Sequence, residues 1–135
     1  MKRIEFTVFF PQIPKGTSQM KRVNHRSGRF FEGKELQEAR AAYEDRLRPF
    51  APDQPFDGPV KVSIGFGYFV KNIKLRGKPK TSRPDADNLV KLVLDVMTKI
   101  GYWNDDSQIV ELTIMKHWAI GNEANLYVHV REVVE

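Results

Sequence analysis

The chain is 135 residues long, contains no cysteine, is 41% hydrophobic and 29% charged, and carries 22 Lys and Arg against 17 Asp and Glu. These figures suit one folded domain over residues 1–135 and exclude a multidomain machine, a disordered tail, a disulfide framework, a thiolate metal site and a cysteine nucleophile. The longest apolar runs fall far short of the roughly 20 residues that cross a bilayer. Met1–Phe10 also lacks the apolar stretch and small-residue cleavage site of a secretory signal, so the expected location is the cytosol.

Ile4, Phe6, Val8 and Phe10 alternate with Glu5, Thr7 and Phe9, which predicts a half-buried strand ended by Pro11 and Pro14. Gly16, Ser18, Asn24, Ser27, Gly28 and Gly33 make the next stretch a loop, in which the turn residues Ser27 and Gly28 are compatible with a short hairpin. From Lys34 to Leu47 the composition turns to Glu, Gln, Ala, Arg and Leu with apolar residues at helical spacing, a helix. A proline-rich connector leads into a second alternating strand over Val60–Tyr68, followed by another loop. Leu89, Leu92, Val93, Val96, Met97 and Ile100 then recur at spacings of three and four, predicting a second helix from Leu89 to Ile100 with a broad buried face, stopped by Gly101. Ile109–Lys116 and Ala124–Glu132 read as two strands joined through Gly121 and Asn122 as a hairpin. The order strand, helix, strand, helix, strand, strand predicts a single α/β or α+β domain, two main helices on a mixed four-stranded sheet.

Charge is unevenly spread. Residues 15–34 and 71–83 together hold 12 cations and one anion, leaving 10 cations and 16 anions over the other 102 residues. Two basic loops of this kind suit an anionic partner. Between the second loop and the third strand lie the acids, in the run RPDADNLVKLVLDVMTKIGYWNDDSQ over residues 83–108. Pro84 pushes Arg83 toward extended geometry, and the expectation is that extension continues through Asp85, Ala86 and Asp87 until Asn88 and Leu89 enter the helix, so that the side chains of Asp85 and Asp87 can point the same way. A bland reading competes, because Asp is a favoured helix cap and Asp87 would satisfy an N–H of the first turn. Lys91 and Asp95 follow at intervals of four on one helix face, where an ordinary surface ion pair accounts for them.

Asp105 and Asp106 come after the helix. A helix of about 12 residues spans roughly 18 Å, so closure of Asp106 onto Asp85 requires residues 83–87 to lie against the Asp106 turn or against a neighbouring chain. If the carboxylates meet, they make a hard-oxygen site for Mg²⁺ or Mn²⁺. Such a site between basic loops suits phosphodiester hydrolysis, with Lys91 stabilising developing charge. A calcium loop counted from Asp85 fails, since its sixth and twelfth positions are Val90 and Val96. Phosphate-binding glycine motifs are lacking. His25, His117 and His129 are scattered and form no triad pattern; His25 lies in the first basic loop, and the other two read as structural.

The combined motif Arg83-Pro84-Asp85-x-Asp87-Asn88-Leu89-x-Lys91, Asp95 and Asp105-Asp106-Ser107-Gln108-Ile109 resembles the RusA family of Holliday-junction resolvases. The strong match covers about a fifth of the chain, and a weaker one extends over the first strand, the first basic loop, the first helix and Lys116. The resemblance implies a homodimeric, magnesium-dependent endonuclease, with manganese an alternative. It would resolve four-way DNA junctions by paired symmetric nicks in recombination and repair. It implies that Asp85, Asp87 and Asp106 are catalytic metal ligands and Lys91 the essential lysine, with Asp105 assisting its neighbour and Asp95 orienting Lys91. The expected DNA contacts are Lys15, Lys21, Arg22, Arg26 and Arg29 in the first loop, Lys74, Arg76, Lys78, Lys80 and Arg83 in the second, and Lys116. The Gly16–Gln19 segment departs from the tighter family pattern. Phe30, Phe31, Phe69, Tyr102 and Trp103 are candidates to stack on unpaired bases, although burial is the commoner fate of aromatic rings. A non-catalytic protein that binds branched or single-stranded DNA is the competing reading; a small-substrate phosphatase would leave the basic loops without a role.

Overall fold

Apolar alternation brings four strands into one mixed sheet, and the two amphipathic helices cover one of its faces. The computed structural model describes residues 1–17, 21–23, 26–28 and 30–134, with the backbone alone for residues 21–23 and 30–32. The strands are β1 (Arg3–Phe10), β2 (Lys21–Val23), β3 (Phe30–Glu32), β4 (Val60–Tyr68), β5 (Ile109–Trp118) and β6 (Ala124–Glu132), and the helices are α1 (Lys34–Leu47) and α2 (Ala86–Ile100). β2 and β3 form a separate antiparallel pair around Ser27 and Gly28, the short hairpin with which those turn residues are compatible, and add two short strands to the expected element order.

The main sheet has the order β1-β6-β4-β5. β4 pairs with β5 in parallel and with β6 antiparallel, and β6 pairs antiparallel with β1. The expected β5–β6 hairpin is therefore wrong: β4 lies between the two strands. Its core-side residues Val60, Val62, Ile64 and Phe66 are each no more than 2% exposed, as befits a strand flanked on both edges. The chain leaving β5 crosses the end of β4, where the Ala119 N–H donates to the Tyr68 carbonyl at 2.7 Å.

The core joins Phe6, Val8 and Phe10 of β1, the four β4 residues and Ala124, Leu126, Val128 and Val130 of β6 to both helices. α2 contributes Leu89, Val90, Leu92, Val93, Val96 and Met97, all buried, each stabilising by about 1.5–3 kcal/mol relative to exposure. α2 ends at Gly101, whose φ of 107° is a left-handed conformation that side-chain-bearing residues resist, and whose N–H closes onto Met97 and Thr98. Tyr102 and Trp103, candidates for base stacking, are 0% and 1% exposed. The Tyr102 hydroxyl donates to the Leu47 carbonyl at 2.6 Å and the Trp103 indole to Thr98 Oγ1 at 2.7 Å, so both belong to the core.

Because β4 and β5 are parallel and α2 connects them, α2 runs back against both strands. Its first residues lie at the Tyr68 and Trp118 edge of the sheet, and its last at the Val60 and Ile109 edge. No helix among the described residues is long and apolar enough to cross a membrane.

Candidate functional site

The segment that delivers the chain to α2 is anchored along the outer edge of β5. Gly77 N–H donates to the Trp118 carbonyl at 2.8 Å, Trp118 N–H to the Lys78 carbonyl at 2.9 Å, and Lys80 N–H to the Lys116 carbonyl at 3.2 Å. The chain then turns through Ser82, Arg83 and Pro84, the Arg83–Pro84 peptide being cis.

α2 starts earlier than its apolar periodicity suggests. Asp85 is the residue before the first turn, with extended backbone angles of −70° and 142°, and Asp87 already lies in that turn. The extended Asp85–Asp87 geometry expected from sequence is thus corrected: extension ends at Asp85 because residues 86–88 are already wound into helix. The bland reading of Asp87 as the cap falls with it. Asp85 holds the cap position, yet its carboxylate makes no capping hydrogen bond. Both acids are exposed.

Beside them opens a groove of about 570 Å³ lined by Ile13, Pro14, Lys15, Thr17, Tyr68, Arg83, Pro84, Asp85 and Asn88. Its lining includes one cation from each basic loop, Lys15 and Arg83, together with Asp85. Lys15 is held there by a close approach of the loop to α1: a Cβ on Gly16 would stand 2.6 Å from Ala39 Cβ. Burial pushes the Tyr68 hydroxyl in the groove wall up to about 12, so it stays a hydrogen-bond donor at neutral pH. Tyr68 and Asn88 went unrecognised as groove residues in the sequence. Tyr68 reads there as the end of a strand, while Asn88, inside the motif, carried a visible signal.

Lys91 and Asp95 are exposed on α2, and among the described residues Lys91 is paired with neither Asp87 nor Asp95; the ion pairs fall on Glu38, Glu44, Asp45 and Glu111. The expected Lys91–Asp95 pair is therefore not formed.

Asp105 and Asp106 sit beyond the other end of α2, a helix of 15 residues and hence about 22 Å long. Asp105 is committed to structure. It caps the short 3₁₀ turn Asp106–Gln108, accepting from Ser107 N–H at 2.8 Å, and that bond holds its carboxyl below the usual range. Gln108 completes the cap, accepting from Asn104 and Asp105 N–H and donating to the carbonyls of Phe56 and Gly58. Asp106 is exposed. Among the described residues no three carboxylate or histidine side chains converge on a metal position. One chain therefore brings Asp85 and Asp87 to the same helix start and keeps Asp106 away.

The expected DNA contacts divide into groups. Lys15, Arg26, Lys74, Lys78 and Arg83 are exposed. Arg76 lies with its guanidinium 5.9 Å from the Phe69 ring and donates to the Val70 carbonyl and the Asn122 side chain. Lys80 and Lys116 turn inward. Lys80 is 7% exposed, and its ammonium donates to Ser82 and Arg83, while that of Lys116 donates to the carbonyls of Ser82 and Pro84. The expectation of Lys80 as a surface cation is corrected on that ground. Arg29 and His25, and the side chains of Lys21, Arg22, Phe30 and Phe31, lie outside the described residues.

Residues 11–131 match the family described as Endodeoxyribonuclease RusA. The chain is 45% identical over 76 residues to a crossover junction endodeoxyribonuclease rusA of Lactococcus phage r1t, covering 56% of each protein. It is also 45% identical over 38 residues to the crossover junction endodeoxyribonuclease RusA of Escherichia coli K12 and to that of Enterobacteria phage 82, covering 28% of this chain and 32% of each relative. The chain thus spans about half the length of the phage r1t relative and about a third of the others in these alignments.

Proposed function

This chain belongs to the RusA endodeoxyribonuclease family, and from that membership we propose that it is a structure-selective DNA endonuclease that resolves four-way junctions by paired nicks in recombination and repair. The observation that carries the reading is the start of α2, where Asp85 occupies a cap position without capping, next to Asp87 and to a groove that also holds Lys15 and Arg83. An acid spared from its ordinary structural duty beside two cations suits a phosphodiester substrate. Lys15 and Arg83 hold phosphate oxygens on the two sides of the groove. Lys91, one helical turn beyond Asp87, stabilises charge that develops on the phosphoryl group.

A magnesium or manganese ion is the cofactor of this reading. The described residues of one chain do not fit a three-carboxylate site, since Asp106 stands beyond the far end of α2. A homodimer supplies what one chain lacks. β5 is an edge strand, covered near Lys116–Trp118 by residues 77–80. Its first half leaves Val110 61% and Leu112 39% exposed, although Leu112 is in register with the core residue Val62. Antiparallel pairing of two such edges about a two-fold axis buries those apolar groups. It also carries each Asp106 turn toward the other subunit's α2 start, because the two lie at opposite ends of β5. Asp85 and Asp87 of one subunit with the partner subunit's Asp106 are then the ligands.

Incubation of a synthetic four-way junction with the protein and Mg²⁺ tests the reading: symmetric paired nicks are expected, with duplex DNA spared. Failure to nick the junction, or free cutting of duplex, overturns it. The distance of Asp106 from the other two acids favours one second reading, a non-catalytic junction-binding protein. Asp87→Asn separates the two, since the endonuclease loses cleavage and keeps binding while the binder has no cleavage to lose.

A further inference from the structure

Resting on the reading of the α2 start as the nuclease site, we propose that Lys80 and Lys116 are positioning residues that hold the Ser82–Pro84 turn so that Arg83 and Asp85 face the groove. The three N–H donors of the Lys80 ammonium are all taken, by the Ser82 carbonyl at 3.0 Å, Ser82 Oγ at 2.9 Å and the Arg83 carbonyl at 2.5 Å. Its faces toward the sheet are closed by aromatic rings, with the Tyr68 centroid at 4.6 Å and that of Trp118 at 5.1 Å. Lys116 reaches the same turn from β5, donating to the carbonyls of Ser82 and Pro84, each at 2.7 Å. The Asp85 carbonyl accepts from Leu89 N–H at 3.1 Å, the first bond of α2. Four consecutive carbonyls, 82 to 85, therefore have assigned partners, and the side chains of Arg83 and Asp85 are left to line the groove.

The choice of lysine is informative. Neither ammonium is paired with a carboxylate among the described residues, and the two repel one another; burial and the Lys116 charge both hold the Lys80 ammonium below the usual lysine range. Removing a charge from water against neutral carbonyls alone carries a large desolvation penalty. An apolar side chain in the same space would leave the carbonyls of Ser82, Arg83 and Pro84 without these donors. Two ammonium groups on one short turn instead set its carbonyl directions, and those set where the next side chains point. A displacement of about 1 Å in a reacting group is enough to lower a rate about 100-fold.

The deciding variant is Lys116→Met, which keeps the length of the stem and removes the donors at a half-buried position. At saturating four-way junction and Mg²⁺, kcat for nicking is expected to fall about 100-fold, with junction affinity and its salt dependence unchanged and with recovery in Lys116→Arg. Amide hydrogen exchange at Leu89, whose N–H closes the first bond of α2, is expected to accelerate while the α2 interior, Leu92–Met97, stays protected. Weakened binding with a shallower salt slope and unchanged kcat would make Lys116 a phosphate contact and overturn the proposal, as would unchanged nicking. If the wild-type protein cuts no junction, the nuclease reading fails by itself. The exchange measurement still decides the positioning role, unchanged exchange refuting it. Lys80→Met, at the more buried position, is expected to repeat the pattern; should it fail to fold, Lys116→Met alone decides between the two roles.

Discussion

Each end of α2 presents two aspartates, and the fold uses them in opposite ways. At the start, Asp85 and Asp87 are exposed and make no capping bond, and the work of shaping the turn falls to the ammonium groups of Lys80 and Lys116. Past the end, Asp105 is itself the cap, Gln108 ties the turn to Phe56 and Gly58, and Asp106 is exposed with no capping role. Two acidic pairs of similar appearance therefore differ in what their removal should do: function is lost at one end, stability and function separately at the other.

The largest expected effect comes from the acids spared from structure. Asp85→Asn, Asp87→Asn and Asp106→Asn should each lower junction cleavage about 100-fold or more, with melting temperature and junction binding held, as read by gel cleavage assays and thermal denaturation. A dimeric site adds a sharper outcome. Co-refolded Asp87→Asn and Asp106→Asn chains, each inactive alone, should recover nicking, because one of the two sites in a mixed dimer is intact; no recovery would mean that the acids act within one chain.

Next in size, Gln108→Ala removes four hydrogen bonds and should destabilise by about 2 kcal/mol in urea titrations. Asp105→Ala should lower the melting temperature while sparing more cleavage than Asp106→Asn does. Gly16→Ala, which forces a Cβ against Ala39, should cost about 1 kcal/mol and weaken junction binding by moving Lys15.

The smallest effect is on pH. His117 lies on β5 opposite Pro79, and burial lowers its pKa from 6.5. Its folded form resists the proton that the unfolded chain takes up. The stability it contributes is therefore complete above pH 6.5, declines as pH falls from there to the folded value, and is gone below it. Urea midpoints measured across that window should fall in the wild type and flatten in His117→Asn.

Much of this molecule is legible in its sequence. α1, β4 and β6 have the bounds their apolar patterns predict, Lys34–Leu47, Val60–Tyr68 and Ala124–Glu132, because a period of two or of 3.6 directly reports which side chains a backbone turns toward a core. Gly101 announces the end of α2 for an equally local reason. The acids, their spacing and the two basic loops were plain as residue types, and so was the family they resemble.

Tertiary structure alone decided the rest. Alternation says which face of a strand is buried and nothing of its neighbours, so β4 came between β5 and β6. Helical winding begins before the apolar stripe does, so Asp85 replaced Asp87 at the cap. A lysine's charge does not determine whether it meets water, phosphate or a carbonyl. Lys80 and Lys116 acquired their partners because the second basic loop runs along β5 and turns at Ser82. Periodicity is a property of the local backbone, whereas the partner of an ammonium or of a strand edge is fixed by segments that meet after the chain has folded.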